Sequence, residues 1–268
     1  MAVPLPCTTL GRTGLAVTRF GIGGAYCPSV DGYRRALDCG VTYVDTARAY
    51  RDGADEEILG RALAGRREQL VLATKTVQRT ADGARSDLEA SLRALRTDWI
   101  DIYQLHHLNT AEERQQALGP GGALETAVRA REQGLVRYLG VTGHDWLQVQ
   151  QAVATGLFDT VLCWYNCAMR EPETTVFPAA LSQSTGVVIM SAARSDRLFT
   201  PPDAPDPEQF YRYVLSHPAV NVVLMGVRDV PVFVDIAAAL AERSSLTPVE
   251  MAQLEAYGAA LRSTGQLD

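Results

Sequence analysis

Three ionisable side chains end successive apolar segments in the first half of the sequence. Asp45 lies at the end of one segment, Lys75 at the end of the next, and His106 at the end of a third. If these segments are neighbouring parallel strands, a carboxylate, an ammonium and an imidazole meet at one end of a sheet. Taken singly, Asp45 and Lys75 would be a structural ion pair and His106 a hydrogen-bonded core residue. Because burying charges without a function usually costs stability, the three together favour a catalytic site.

Tyr50 follows Asp45 by five residues, in the predicted loop that leaves the same strand. A free phenol has a pKa of about 10 and is a poor acid at neutral pH, but a nearby ammonium favours the phenolate. We therefore expect Lys75 to lower the pKa of Tyr50, and Tyr50 to act as a general acid and base. Asp45 would keep Lys75 charged and oriented, and His106 would donate a hydrogen bond to a substrate carbonyl. This set suits the interconversion of a carbonyl and an alcohol.

Eight short apolar segments rich in β-branched residues must position these side chains. They alternate with amphipathic stretches, which is typical of repeated βα units and a parallel sheet. Eight such units favour a closed (β/α)8 TIM barrel over an open doubly wound sheet, which usually has fewer strands and a glycine-rich turn after the first. The predicted strands are 20–24, 42–47, 70–75, 100–106, 138–144, 160–166, 187–192 and 220–226.

Helices are predicted between the strands from apolar residues at three- and four-residue spacing. Asp31 and Ser86 are expected to cap helix starts, and Gly40 and Gly134 to lie where a helix turns into the next strand. The clearest helical stretches are 55–63, 86–95, 124–133 and 207–216.

Two predicted elements lie outside the eight units. Residues 8–18 have the glycine-flanked pattern of a β-hairpin that plugs one end of the barrel. Residues 247–262 begin with a Thr cap followed by Pro, which indicates an extra C-terminal helix.

Composition limits the class of protein. The chain has 268 residues, 47% of them hydrophobic, which suits one large core, so we expect a single domain over 1–268. The sequence has no apolar run of membrane-spanning length, and its start lacks the features of a secretory signal, so we expect a cytoplasmic protein without a membrane partner. Five cysteines without zinc spacing predict reduced thiols and no metal site. A net charge of -6 with dispersed arginines argues against nucleic acid.

Several motifs, in order, resemble those of the aldo-keto reductase family. VDTARAY (44–50), LATKT (72–76) and IDIYQLHH (100–107) resemble the family's Asp/Tyr/Lys/His tetrad, and 10–25, 134–145 and 213–229 resemble its opening, fifth-strand and eighth-strand regions. The resemblance implies that NADPH or NADH binds across the strand ends. Hydride then passes to a carbonyl carbon of a small-molecule substrate while Tyr50 supplies the proton.

The resemblance also assigns the surrounding positions. The Thr-Gly-His sequence at 142–144 is similar to one subgroup of small family members. Tyr26, His107, His144 and Trp164 are expected to line a rather open substrate pocket. The cofactor positions are Thr142, Gly143, Asn166, Met190, Ser191, Arg194, Gly226, Arg228 and Asp235.

Some cofactor positions depart from the family pattern. Leu162 stands where a glutamine is common, Met190 where a tyrosine stacks on the nicotinamide, and Val232 where an arginine binds phosphate. Fewer cations should weaken selectivity for NADPH over NADH. Two other functions therefore stay open: a redox-neutral dehydratase or isomerase that has lost normal cofactor use, and a non-catalytic nucleotide-binding subunit.

Overall fold

Eight parallel strands close into a barrel in the computed structural model, which describes residues 3–194 and 196–265. The chain starts with two short hairpin strands, β1 (Cys7–Thr9) and β2 (Ala16–Thr18). The barrel strands follow in the order β10-β3-β4-β5-β6-β7-β8-β9, with β10 and β3 paired to close the ring. They are β3 (Phe20–Gly23), β4 (Tyr43–Asp45), β5 (Val71–Thr76), β6 (Ile100–Leu105), β7 (Val136–Thr142), β8 (Thr160–Trp164), β9 (Gly186–Met190) and β10 (Val222–Gly226).

Helices surround the barrel and follow its strands in turn. Two of them follow β6, one follows each other barrel strand, and a last helix ends the described chain. They are α1 (Val30–Leu37), α2 (Ala54–Ala62), α3 (Ala81–Leu95), α4 (Ala111–Leu118), α5 (Ala123–Glu132), α6 (Trp146–Ala154), α7 (Val176–Ser182), α8 (Pro207–Ser216), α9 (Val230–Glu242) and α10 (Pro248–Ser263). The predicted (β/α)8 barrel is confirmed, as are the hairpin and the extra C-terminal helix. The single domain predicted over 1–268 includes residues 1–2, 195 and 266–268, which lie outside the described residues.

The predicted helix caps Asp31 and Ser86 are wrong. Ser29 caps α1 by accepting a hydrogen bond from the backbone N–H of Gly32, and Thr80 caps α3 in the same way. Asp31 lies two residues after the cap, inside the first turn, where its charge interacts favourably with the helix dipole but its side chain does not cap the helix. Ser86 lies inside α3, because that helix begins five residues earlier than its apolar pattern indicates.

The other predicted helix ends are confirmed. Gly40 and Gly134 both have left-handed backbone conformations after a helix, with φ of 84° and 76°. Thr247 caps α10 in a capping box with Glu250, and Pro248 occupies the first turn. Among the described residues, no helix combines the length and the apolar character needed to cross a membrane.

The hairpin covers the amino-terminal end of the barrel. Leu10 and Val17 are buried against side chains that fill the barrel interior. The Tyr138 hydroxyl donates a hydrogen bond of 2.6 Å to the Thr13 carbonyl, which ties β7 to the hairpin loop. Since this end is closed, the polar residues at the strand carboxyl ends face the other mouth. The buried cluster that contains Leu10 and Val17 also includes Tyr43, Val71, Ala73, Ile102, Leu162, Val188, Val222 and Leu224.

Replacing Gly11 by alanine should destabilise the protein. A Cβ there would lie 2.2 Å from the backbone nitrogen of Gly186 and 2.7 Å from the Ser184 oxygen, at a φ of +49°. Because backbone atoms cannot easily move aside, we expect a loss of roughly 2 to 4 kcal/mol in the free energy of unfolding. Gly14→Ala is the matched control, since Gly14 also has a positive φ but nothing within 4 Å of the new Cβ. Urea unfolding followed by circular dichroism measures both, and equal losses would contradict the steric argument.

Candidate active site

The four predicted catalytic side chains meet at the open mouth of the barrel. Asp45 is the last residue of β4, Lys75 lies near the end of β5, and His106 directly follows β6. All three are at most 3% exposed, and Tyr50 is half-buried in the loop after β4. The strands are neighbours in the barrel, so their carboxyl ends bring a carboxylate, an ammonium, an imidazole and a phenol together.

The Lys75 ammonium lies at the centre of the site. It donates hydrogen bonds to Asp45 Oδ1, to the Thr46 carbonyl at 2.7 Å and to the Tyr50 hydroxyl oxygen at 3.1 Å. An ammonium has three donors and no acceptor, so all three are used. The Tyr50 oxygen accepts from Lys75, which leaves the phenol's own proton for a different acceptor. Lys75 is also the single lysine of the sequence.

The backbone after Tyr50 is held in an uncommon conformation. Arg51 and Asp52 both have φ above 50°, a left-handed region that costs roughly 1 to 2 kcal/mol per non-glycine residue. The Arg51 guanidinium donates a 2.9 Å hydrogen bond to the Cys27 carbonyl in the loop after β3. Such strain persists only where surrounding contacts fix the chain. Here the contact between Arg51 and Cys27 fixes the turn that carries the phenol.

The pKa of Tyr50 differs from the expectation. Burial raises it above the ordinary value of a phenol, while Lys75 acts in the opposite, predicted direction and Asp45 raises it further. The net shift is upward, so the predicted lowering is wrong. Desolvation penalises a buried phenolate more than the ammonium stabilises it. Tyr50 therefore keeps its proton at neutral pH in this state.

Burial also affects the Asp45–Lys75 pair. Burial by itself lowers the pKa of Lys75, but Asp45 and Tyr50 outweigh that effect and raise it. Burial raises the pKa of Asp45, and Lys75 and Gln104 oppose that rise. Each charged group therefore depends on the other for its ionisation.

His106 is a neutral imidazole. Burial lowers its pKa strongly, and the nearby Lys75, His107 and His144 lower it further. Its Nδ1 atom is buried and has no hydrogen-bond partner among the described residues. Its ring meets the Tyr50 ring edge-on, with 5.6 Å between the ring centroids. A neutral imidazole has one N–H to donate, which is the group required to bind a carbonyl oxygen.

Three further buried polar residues support the site, and the sequence did not single them out. Gln104 Nε2 donates to Asp45 Oδ2 at 2.8 Å. Asp55 accepts from the Thr46 hydroxyl at 2.7 Å, and Glu56 accepts from the Thr74 hydroxyl at 2.6 Å. Gln104 could have been found, because strand alternation places residues 104 and 106 on the same side. Asp55 and Glu56 could not have been found in this way, because acidic residues at the start of a helix are usually exposed.

A row of aromatic rings extends from His106 across the mouth. The centroid distances are 3.8 Å from His106 to His107, 4.5 Å from His107 to His144 and 4.2 Å from His144 to Trp164. The Arg194 guanidinium lies 4.3 Å from the Trp164 ring centroid. Burial, with His107 and Arg194, lowers the pKa of His144 to about 4, and burial also lowers that of His107. The three histidines of the row are therefore uncharged at neutral pH, and the positive charge of Arg194 lies at the Trp164 end.

A cavity of about 320 Å³ lies beside this row. Asp45 and Tyr50 form part of its wall, and all four predicted substrate residues line it. Of the nine predicted cofactor positions, five line it as well. Those nine lining residues are Tyr26, His107, His144, Trp164, Met190, Ser191, Arg194, Gly226 and Arg228.

The other four predicted cofactor positions lie elsewhere. Thr142 is fully buried, and its hydroxyl accepts a hydrogen bond from the His107 backbone. Gly143 gives Val149 and the Leu108 carbonyl room to approach closely. Asn166 is 1% exposed and donates to the Ser191 carbonyl, so it holds the loop after β9. Asp235 is exposed on α9 and does not line the cavity.

Two guanidinium groups, those of Arg194 and Arg228, also line the cavity. Arg228 lies 3.4 Å from the Asp196 carboxylate and 5.0 Å from the Tyr26 ring centroid. Val232 is 37% exposed at the start of α9, where it offers no charge. Asp45 and Tyr50 line the same cavity as Arg194 and Arg228, so the residues around it suit a ligand that carries both a reactive group and phosphates.

The chain resembles known proteins in sequence. The model of the Aldo/keto reductase family matches residues 28–200, a span that contains all four residues of the tetrad. Aldo-keto reductase YhdN of Bacillus subtilis (strain 168) is 33% identical over 196 residues, which cover 65% of this chain and 57% of that protein. The chain thus spans less than two thirds of this relative's length.

Solved structures show the same fold. The holo form of aldo-keto reductase AKR11C1 from Bacillus halodurans has a TM-score of 0.83 at 23% identity, covering 94% of this chain and 96% of that chain. An aldo-keto reductase from Klebsiella pneumoniae, in complex with NADPH, has a TM-score of 0.79 at 24% identity, covering 97% and 96%. Because the family model takes in more than half of the sequence, the chain belongs to the aldo/keto reductase family.

Proposed function

We propose that this protein is an NAD(P)H-dependent oxidoreductase that interconverts an aldehyde or ketone with an alcohol. The observation that carries this proposal is the Lys75 ammonium, which binds Asp45 and the Tyr50 oxygen together while Tyr50 faces the cavity. Membership of the family supports it, as do the NADPH bound in the Klebsiella structure and the name of the Bacillus relative.

Tyr50 acts as the general acid in reduction and the general base in oxidation. Its proton is not engaged with Lys75, so it can pass to the oxygen of a bound carbonyl. Lys75 then stabilises the phenolate that remains, because its charge lies against that oxygen. His106 donates a hydrogen bond to the same carbonyl oxygen and sets its angle. A bound nicotinamide supplies or accepts the hydride.

The residues on the cavity wall divide between the two ligands. Met190, Ser191, Arg194, Gly226 and Arg228 would hold the nucleotide, with the two arginines facing its phosphates. Thr142 and Asn166 would act indirectly, through His107 and the loop after β9. The proposed substrate residues are Tyr26, His107, His144 and Trp164. A cytoplasmic location stays a prediction.

Tyr50→Phe should abolish carbonyl-dependent oxidation of NAD(P)H while nucleotide binding persists, because only the hydroxyl is removed. We expect kcat to fall by at least about 100-fold, the usual contribution of a positioned acid. Tyr138→Phe is the matched control, since it removes a tyrosine hydroxyl bonded at the closed end of the barrel. Steady-state kinetics and nucleotide fluorescence measure the two effects. Equal losses of kcat in both variants would contradict the role of Tyr50.

The rate of carbonyl reduction should change little with pH across the neutral range. The raised pKa of Tyr50 keeps the acid protonated as the pH rises from about 6 to about 9, and the rate should fall only near or above the ordinary phenol pKa of about 10. The lowered pKa of His106 keeps the imidazole neutral over the same range. A profile of kcat/KM at constant ionic strength tests this, and a steep loss between about pH 7 and 8 would contradict it.

Both NADPH and NADH should bind, with a difference of less than about tenfold in Kd. Arg228 is already paired with Asp196, and Val232 adds no cation for a 2'-phosphate. Arg228→Ala should weaken NADPH binding more than NADH binding. Separate fluorescence titrations measure this, and a preference for NADPH above about 100-fold would contradict it.

The same titrations test the proposed function against the alternatives. If neither nucleotide binds and product forms without one, the protein is a redox-neutral enzyme. If a nucleotide binds but a broad panel of carbonyl substrates is not turned over, a non-catalytic binding subunit is the better interpretation.

A further inference from the structure

Gln104 makes a buried contact behind the catalytic residues. It lies on β6, two residues before His106, and is 1% exposed. Its amide nitrogen donates to Asp45 Oδ2 at 2.8 Å, while Asp45 Oδ1 accepts from Lys75. The two oxygens of the Asp45 carboxylate are therefore held by two different donors. Gln104 itself does not line the cavity, so any effect on substrate must be indirect, and its side-chain hydrogen bond leads to Asp45.

The neighbouring strand leaves space for this amide. Gly140 on β7 is paired in register with Gln104. A Cβ at Gly140 would lie 2.7 Å from Gln104 Cγ and 2.7 Å from the Thr160 hydroxyl oxygen, so both side chains would have to move. The orientation of Gln104 towards Asp45 thus depends on the glycine beside it.

We propose that Gln104 is a positioning residue of this site, because its amide holds the Asp45 carboxylate where it binds Lys75 against Tyr50. A buried carboxylate with one donor is harder to keep charged than one with two. Without the amide, Asp45 is free to rotate or to take up a proton, and Lys75 loses its counter-ion. The other titratable groups that influence Asp45 or are influenced by it are Tyr50, Asp55 and Tyr43. The catalytic consequence rests on the proposed function, whereas the effect on Lys75 does not.

The single lysine of the chain gives a direct measurement. Protein grown with lysine labelled with 15N at Nζ has one labelled side-chain nitrogen, that of Lys75. Its chemical shift and its titration by NMR report whether the ammonium is charged and hydrogen-bonded, whatever the activity. In Gln104→Leu, a buried change of similar size without a donor, we expect the signal to move and the pKa of Lys75 to fall.

The same variant should lose catalytic rate. We expect kcat/KM for carbonyl reduction to fall roughly 10- to 100-fold, the effect of losing a hydrogen bond to a charged group. The Kd for NADPH should stay unchanged, because Gln104 does not line the cavity.

Two other substitutions separate positioning from a general packing defect. Gln104→Glu keeps the shape, and its carboxyl donates to Asp45 only while protonated, so the wild-type signal and rate should recover at low pH and disappear as the pH rises. Gly140→Ala should shift the Lys75 signal as Gln104→Leu does, because it displaces the amide. Gly21→Ala is the control: its Cβ would meet Leu224 at 2.9 Å in the barrel but not Gln104 or Asp45, so the Lys75 signal should stay.

An unchanged Lys75 signal and titration in Gln104→Leu would overturn the proposal. So would a wild-type pH dependence in Gln104→Glu, or a shift in Gly21→Ala as large as that in Gly140→Ala. If the wild-type protein reduces no carbonyl compound but the Lys75 signal responds to Gln104 as described, the proposed function fails and the positioning role of Gln104 stands.

Discussion

An ammonium group taken out of water must find a partner for each of its hydrogens, and Lys75 does so inside a barrel whose interior is largely apolar. The desolvation of such a pair is costly, and its mutual attraction offsets the cost only with good geometry and additional hydrogen bonds. The Asp45 carboxylate, the Thr46 carbonyl and the Tyr50 oxygen provide that geometry. Gln104 and Asp55 in turn hold Asp45 and Thr46 in place.

The supporting contacts form a second layer behind those acceptors. One Asp55 oxygen accepts a hydrogen bond from the Thr46 hydroxyl, and the other accepts one from the Tyr33 hydroxyl at 2.8 Å. Glu56 joins Thr74 of β5 to Arg48 in the loop after β4. These carboxylates are fully buried at the start of α2. The helix thereby fixes β5, which carries Lys75, and the loop after β4, which carries Tyr50. This loop is positioned by groups that do not line the cavity.

The sequence predicts the parts of this structure that depend on periodicity. Strand number, hairpin and final helix follow from apolar patterns and turn residues, and the ends of β4, β5 and β6 identify Asp45, Lys75 and His106 because parallel strands end at one mouth. Properties that depend on the three-dimensional surroundings of a residue cannot be predicted from this periodicity. The pKa of Tyr50 depends on how much water is excluded, and the caps of α1 and α3 on where the backbone leaves the extended conformation. Asn166 and Thr142 are turned inward by bonds to Ser191 and His107, which spacing along the chain does not reveal.

The composition of the charged surface has a practical consequence. Of the 25 Lys and Arg residues, Lys75 is the single lysine and all the others are arginines. Lys75 is fully buried. Reagents that attack neutral amines, including activated esters and aldehyde fixatives, thus have no exposed lysine to modify. Guanidinium groups stay protonated and react poorly with such reagents. A lysine introduced by mutation on the surface would therefore be the only exposed lysine side chain to which a dye or a support could be coupled.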